Sequence, residues 1–107
     1  MVTQLVTPLV TQSTLTRSAD DQFAVRGVLG FDSATELLDQ SKELFASANS
    51  INIDLSAVTH ADSAGLALLL EWLRYGKQHN KTVRYQNLPA QLRSLAAISE
   101  VETLLAI

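Results

Sequence analysis

Ile51-Asn52-Ile53-Asp54-Leu55-Ser56, Ala57-Val58-Thr59-His60-Ala61, Asp62-Ser63-Ala64-Gly65 and Leu66-Ala67-Leu68-Leu69-Leu70-Glu71-Trp72-Leu73-Arg74-Tyr75 form one unbroken stretch. Apolar Ile51, Ile53 and Leu55 alternate with polar residues, which predicts a short strand ending near Leu55. A loop follows, then a polar tetrapeptide, then a helix from about Ser63 to His79. Asp62 is a good N-cap, and Ser63 can bond within the first turn. The tetrapeptide therefore lies beside the free N–H groups of a helix start, where recognition or a phosphate switch is natural. Gly65 lets the backbone approach another surface.

At about 100° per residue, three stripes emerge on this helix. Leu66, Leu69, Leu70 and Leu73 form the stripe expected to face a sheet. Ala67, Glu71, Arg74 and Gln78 form a solvated one. Leu68, Trp72, Tyr75 and His79 form a third, roughly opposite the first. That third stripe either packs beneath a neighbouring helix or the N-terminal segment, or it docks a partner. Trp and Tyr commonly anchor interfaces, and Trp72 is the only tryptophan in the chain, which favours docking. A homodimer through the same stripe is a further partner this reading allows.

Ala61 to Gly65 resembles a Gly-x-Ser-x-Gly nucleophile elbow with Ala in first place. A strand ending near Leu55 leaves the turn too long for that motif. The two histidines also serve badly as a base, since His60 nearly adjoins Ser63 and His79 closes the far end of the helix. Neither has metal-ligand spacing, and no phosphate-binding loop of the Gly-x-x-x-x-Gly-Lys kind occurs. No enzyme activity, metal or cofactor is expected.

Outward from this stretch, the chain has 107 residues, the length of one domain with a real core. Hydrophobic residues make up 47% and charged residues 18%, a globular balance. The net charge of −3, with Lys and Arg scattered, argues against nucleic acid. There is no cysteine, which excludes disulfides and suits a cytoplasmic setting. The longest apolar run, Leu66 to Leu70, is far below the roughly 20 residues of a membrane span. Direct membrane insertion is not expected; any membrane role runs through a partner.

Residues 1–13 read as a loose tail or an added edge strand, with Val-Thr-Gln at 2–4 and again at 10–12 and Pro8 barring a central strand. Residues 14–107 form the domain. Leu15–Ser18 and Phe23–Val28 predict a hairpin turning at Asp20-Asp21-Gln22. Asp32 or Ser33 caps a first helix carrying Leu37, Leu38, Leu44 and Phe45 on one face. Lys81–Gln86 predicts another strand. A third helix starts at Asn87-Leu88-Pro89, with Leu92, Leu95, Ala96 and Ile98 as its apolar face. Val101–Ile107 is a short helix or strand. The order β-β-α-β-α-β-α predicts an α/β fold with a mixed sheet of four to five strands and helices mainly on one face.

The run Ile53-Asp54-Leu55-Ser56-x-Val58, followed by Asp62-Ser63-x-Gly65-Leu66, resembles the STAS domain family, named for sulfate transporters and anti-sigma-factor antagonists. Antagonists in that family carry Asp-Ser-Ser-Gly and are phosphorylated on the second serine, where this chain has Ala64. The branch of small STAS subunits in Mla lipid-transport systems (MlaB type) is more similar. It has Asp-Thr-Gly-Gly-Leu-Ala-Leu-Leu-Leu, against Asp62 to Leu70 here, and Ser63 falls on its essential threonine. That resemblance implies a non-catalytic cytoplasmic subunit, peripheral to the inner membrane of a Gram-negative bacterium through its partner. The partner would be the ATPase of an ABC transporter, with its membrane permease, that maintains outer-membrane phospholipid asymmetry. The implied contact surface is the helix start, Asp62, Ser63, Ala64 and Gly65, joined by Leu68, Trp72 and Tyr75; Ser63 would supply a hydroxyl contact or a phosphorylation site. The alternative is an anti-sigma-factor antagonist-like domain that binds a serine kinase or anti-sigma factor.

Overall fold

The computed structural model describes residues 13–105. The tail or edge strand expected at the N-terminus lies outside the described residues up to residue 12. Ser13 is buried, and its Oγ accepts a hydrogen bond from Val28 N at 3.0 Å.

β1 (Thr14–Ala19) and β2 (Gln22–Leu29) form the expected antiparallel hairpin, with Leu15 opposite Val25. The turn is Asp20-Asp21, one residue shorter than expected, because Gln22 already pairs with Ala19. Asp21 accepts from Asn49 N (3.1 Å) and Ser50 Oγ (3.2 Å), which ties the hairpin to the start of β3. α1 (Ala34–Ala46) then crosses to β3 (Ile51–Ala61), and α2 (Ser63–Gln78) crosses to β4 (Val83–Gln86). α3 (Ala90–Ile98) and the short α4 (Glu102–Leu105) complete the described chain. The sheet order is β1-β2-β3-β4, antiparallel at the hairpin and parallel beyond it. This is the mixed α/β sheet expected, with four strands.

Successive strand residues point to opposite faces. Phe23, Val25, Leu29, Ile51, Ile53 and Leu55 are buried, whereas Gln22, Ala24, Asn52, Asp54, Arg84 and Gln86 are exposed or half-buried. All helices therefore cover one face. From them Leu37 and Phe45 (α1), Leu66 and Leu69 (α2) and Leu92 and Ala96 (α3) complete the core.

Two sequence expectations fail here. β3 does not end near Leu55; it pairs with β2 through Ala61. Its apolar alternation stops because two bulges shift the phase. Ala24 to Arg26 faces Asp54 to Ala57, and Gly27 to Val28 faces Val58 to His60, so each bulge places one extra residue on β3. Gly27, at φ 95°, takes a backbone conformation that few other residues tolerate.

The second failure concerns the third stripe of the long helix. Leu68 and Trp72 are buried, and Tyr75 is half-buried. Trp72 Nε1 donates to Ser41 Oγ at 3.0 Å, and its ring meets Phe45 edge-on with centroids 5.5 Å apart. The two apolar stripes are flanks of one wide face, not opposite faces. Its midline carries Gly65, Leu69 and Gly76, all buried. A Cβ on Gly65 would lie 2.0 Å from Leu29 O, and one on Gly76 would lie 2.5 Å from Lys81 O. Bare backbone along the midline brings α2 so close that both flanks sink. Neither Leu68 nor Trp72 can then anchor a partner or a second copy.

Candidate functional site

Asp62 is the single residue between β3 and α2. Its extended backbone (φ −135°, ψ −169°) turns the chain, and its side chain caps the helix. Oδ1 accepts from Ala64 N at 2.9 Å and Gly65 N at 3.2 Å. Oδ2 accepts from Phe31 N at 3.2 Å, so one carboxylate joins the loop after β2 to the start of α2. Gly30 leaves room for that carboxylate; a Cβ there would come within 2.8 Å of Oδ2. Ser33, expected as a helix cap, makes no side-chain cap bond. Its buried Oγ donates instead to Val28 O at 2.6 Å and accepts from Gly30 N at 3.1 Å, holding the same loop from below.

The Phe31 N–H holds the Asp62 carboxyl below the ordinary range; partial burial opposes this, and the Gly65 and Ala64 N–H groups add to it. A carboxyl lowered on folding stabilises the native state above its unfolded value of about 4, and that stabilisation is lost as pH falls through the lower folded value. Asp54, lowered by Asn87 Nδ2 and Ser56 N, acts in the same direction. The stability difference between the native chain and Asp62→Asn is therefore expected to be largest at neutral pH and to shrink below about pH 4. Urea unfolding at pH 7 and pH 3 checks it; a difference that stays constant or widens in acid would refute the assignment.

The structure brings part of the expected site together and removes the rest. Asp62 and Ser63 are exposed and Ala64 is half-buried. Gly65 is buried, and the surface it approaches is the chain's own Leu29. Ser63 lies in a cleft with Ala61, Asp62, Gln91, Ser94 and Leu95. Gln91 Oε1 accepts from Ala61 N at 3.0 Å, fixing α3 against the end of β3. Ala64 faces a shallow groove between α1 and α2, beside Leu38 and Ala67.

Two residues that the sequence reading did not assign to a site stand out. Phe31 is 80% exposed at the loop tip pinned by Asp62, and Ile98 is 79% exposed. Ile98 was expected in the core face of α3, where Leu92 and Ala96 are buried and Leu95 is half-buried against the core. It lies one turn beyond Ser94 and Leu95 on the face that lines the Ser63 cleft. The signal for Phe31 was an aromatic between Gly30 and Asp32, where helix-opening chemistry needs only small or polar residues.

With β3 running to Ala61, the turn is short after all, and the length objection to a nucleophile elbow falls. Among the described residues none bonds to Ser63 Oγ, and His79 Nδ1 lies 2.9 Å from Tyr75 O, a helix length of about 24 Å away. No group of three or more His, Cys, Asp or Glu side chains stands ready for a metal among the described residues. Two of the helix N–H groups that could bind an anion, those of Ala64 and Gly65, already face Asp62. Among the described residues no helix is long and apolar enough to cross a membrane.

Comparison with known proteins places this geometry. A family model described as the MlaB STAS domain matches residues 14–106. No curated protein matches the chain. Among solved structures, the unphosphorylated anti-sigma factor antagonist SpoIIAA superposes with a TM-score of 0.63 at 14% identity, covering 81% of this chain and 83% of that one. The inward-facing murine Solute Carrier 26 family member A9 anion transporter gives 0.64 at 14% identity, covering 81% of this chain but 15% of the transporter. Native Mglu gives 0.54 at 18% identity, covering 83% of this chain and 26% of the other. At these identities the structural likenesses establish the fold alone.

Proposed function

The chain belongs to the MlaB-type STAS domain family, and from that premise we propose that it is a non-catalytic accessory subunit binding and regulating the ATPase of an Mla-type ABC transporter. In this reading it acts in the cytoplasm, held at the inner membrane by an ATPase–permease complex that maintains outer-membrane phospholipid asymmetry.

The observation that carries the proposal is the pairing of family membership with the surface at the Ser63 end. Phe31 and Ile98 are two of the three large apolar side chains left exposed among the described residues. Side chains of that size on a small domain mark interaction sites when they gather beside a cleft. The exposed Ser63 hydroxyl shares a cleft with half-buried Leu95, and half-buried Ala64 follows it in the first turn of α2. The ATPase would cover Phe31 and Ile98 and bond to Ser63. Docking that prefers the assembled ATPase by a few kcal/mol shifts its equilibrium toward the active form. Asp62 shapes the surface by tying the Phe31 loop to the start of α2.

A phosphate switch fits this surface poorly. Ala64 has no hydroxyl, and a phosphate on Ser63 would meet the Asp62 carboxylate at a helix start where the Ala64 and Gly65 N–H groups are already taken. The antagonist-like alternative, with a serine kinase as partner, loses ground for that reason.

Affinity capture of the tagged chain from its native membranes, read by mass spectrometry, tests the proposal. The native chain is expected to recover an ABC ATPase with its permease. Ser63→Asp, placing a second negative charge beside Asp62, is expected to lose at least nine-tenths of that recovery while keeping its unfolding midpoint. Recovery of a serine kinase or sigma regulator in place of the transporter would overturn the proposal.

A further inference from the structure

The third exposed apolar residue, Leu104 at 62%, lies away from the Ser63 end. It sits between the second half of α2 and β4. Two adjoining grooves share Leu73 and Leu104 in their walls. One runs along β4, Val83 to Gln86. The other runs over Leu70 toward Arg74, Lys77 and Lys81. Arg84 on β4 adds a fourth cation, and among the described residues no Asp or Glu lines either groove. A chain of net charge −3 thus places four of its eight Lys and Arg residues along these grooves: Arg74 and Lys77 beside the apolar floor, Arg84 on the strand, and Lys81 with its ammonium turned to the end of α1.

β4 is also the end of the sheet. It pairs with β3 on one side, and among the described residues no backbone bonds to its other side. Short length and a charged residue such as Arg84 ordinarily protect an edge strand from unwanted pairing. Here the edge borders an apolar floor, which a protected edge does not need. Lys81 is partly committed, since its Nζ donates to Phe45 O (2.7 Å) and Ala46 O (3.0 Å). Arg74 meets Glu71 only loosely, at 3.7 Å on the exposed side, and remains available.

We infer that the free edge of β4 and the cationic, leucine-floored trough beside it form a second binding site, for an extended acidic segment of a partner protein. The segment adds to the sheet as a fifth strand, taking main-chain hydrogen bonds from β4. Alternation places its apolar side chains over Leu73 and Leu104 on the helix side and its acidic ones by Arg84 on the open side. Acidic residues flanking the strand reach Arg74 and Lys77. This site does not rest on the reading of the Ser63 end, from which it is separated along α2.

The test uses the full chain, isotopically labelled, and a fluorescein-tagged octapeptide alternating Glu or Asp with Val or Leu. A matched peptide with Lys in place of every acid serves as control. Addition of the acidic peptide is expected to shift the Val83–Gln86 amide signals and slow their hydrogen exchange, leaving Ser63 and Ala64 unmoved. The Lys peptide is expected to bind at least tenfold more weakly, as is the acidic peptide to a Lys77→Glu, Arg84→Glu double variant. Higher salt is expected to weaken the complex. Four results would overturn the inference. They are no change at Val83–Gln86, equal binding of the Lys peptide, a chain already dimeric through protected β4 amides, and displacement of the acidic peptide by phosphatidylglycerol vesicles. Because the Lys-peptide comparison uses the unaltered chain, the test survives a double variant that fails to fold.

Discussion

Trp72→Ala is expected to destabilise the domain by about 3–5 kcal/mol, the usual range for removing a buried aromatic. Trp72 is 1% exposed and lies under α1, with Phe45 against its ring and Ser41 Oγ on its Nε1–H. Phe23 in turn meets Phe45 edge-on at 5.0 Å, so the indole closes a chain of three aromatics running from β2 to α2. Its loss opens a cavity where sheet, α1 and α2 meet. Ser41 is not orphaned, because its Oγ also donates to Leu38 O at 2.6 Å. The penalty is therefore mainly cavity and lost contact. Trp72→Phe keeps most of the volume and is expected to cost much less. A domain stable by about 5–15 kcal/mol would keep little margin after the alanine change. Urea unfolding checks this; an unchanged midpoint would return Trp72 to the surface and restore it as a docking anchor. Loss of partner binding by Trp72→Glu would report unfolding, not a broken contact.

Phe31→Ala is expected to leave stability within about 0.5 kcal/mol, as for most exposed positions. On the proposed function, it should weaken ATPase binding by about 2 kcal/mol or more, roughly thirtyfold, the scale of an interface hot spot. The ring is free of the core, but its backbone N–H is held by Asp62, so an anchor would be presented without a further ordering cost. Titration of the purified ATPase against both chains, with unfolding curves alongside, separates the two effects. Unchanged affinity for a folded variant would remove Phe31 from the interface and move the weight to Ser63 and Ile98.

Much of this was legible in the chain. The alternation of Ile51, Ile53 and Leu55 marked the central strand, and Asp62 before a leucine-rich run marked the helix start. The bulged half of β3 was not legible, because Ala57 to Ala61 pairs through backbone to β2 after two added residues have scrambled the face pattern. Ser41 was an available clue to Trp72. A serine between Leu37 and Phe45 on a core face needs a polar partner, and an indole N–H can supply one.

By itself, then, the sequence determined the element order, the mixed sheet, the capped start of α2 and the absence of a hydroxyl at Ala64, since each depends on local pattern or residue identity. Tertiary structure decided which apolar residues are buried. Gly65 and Gly76 admit the backbone of α2 so near the sheet that Leu68 and Trp72 fall inside, while Phe31, Ile98 and Leu104 remain outside. Burial depends on the distance between elements, and that distance is set by side chains on both, which no single segment can report.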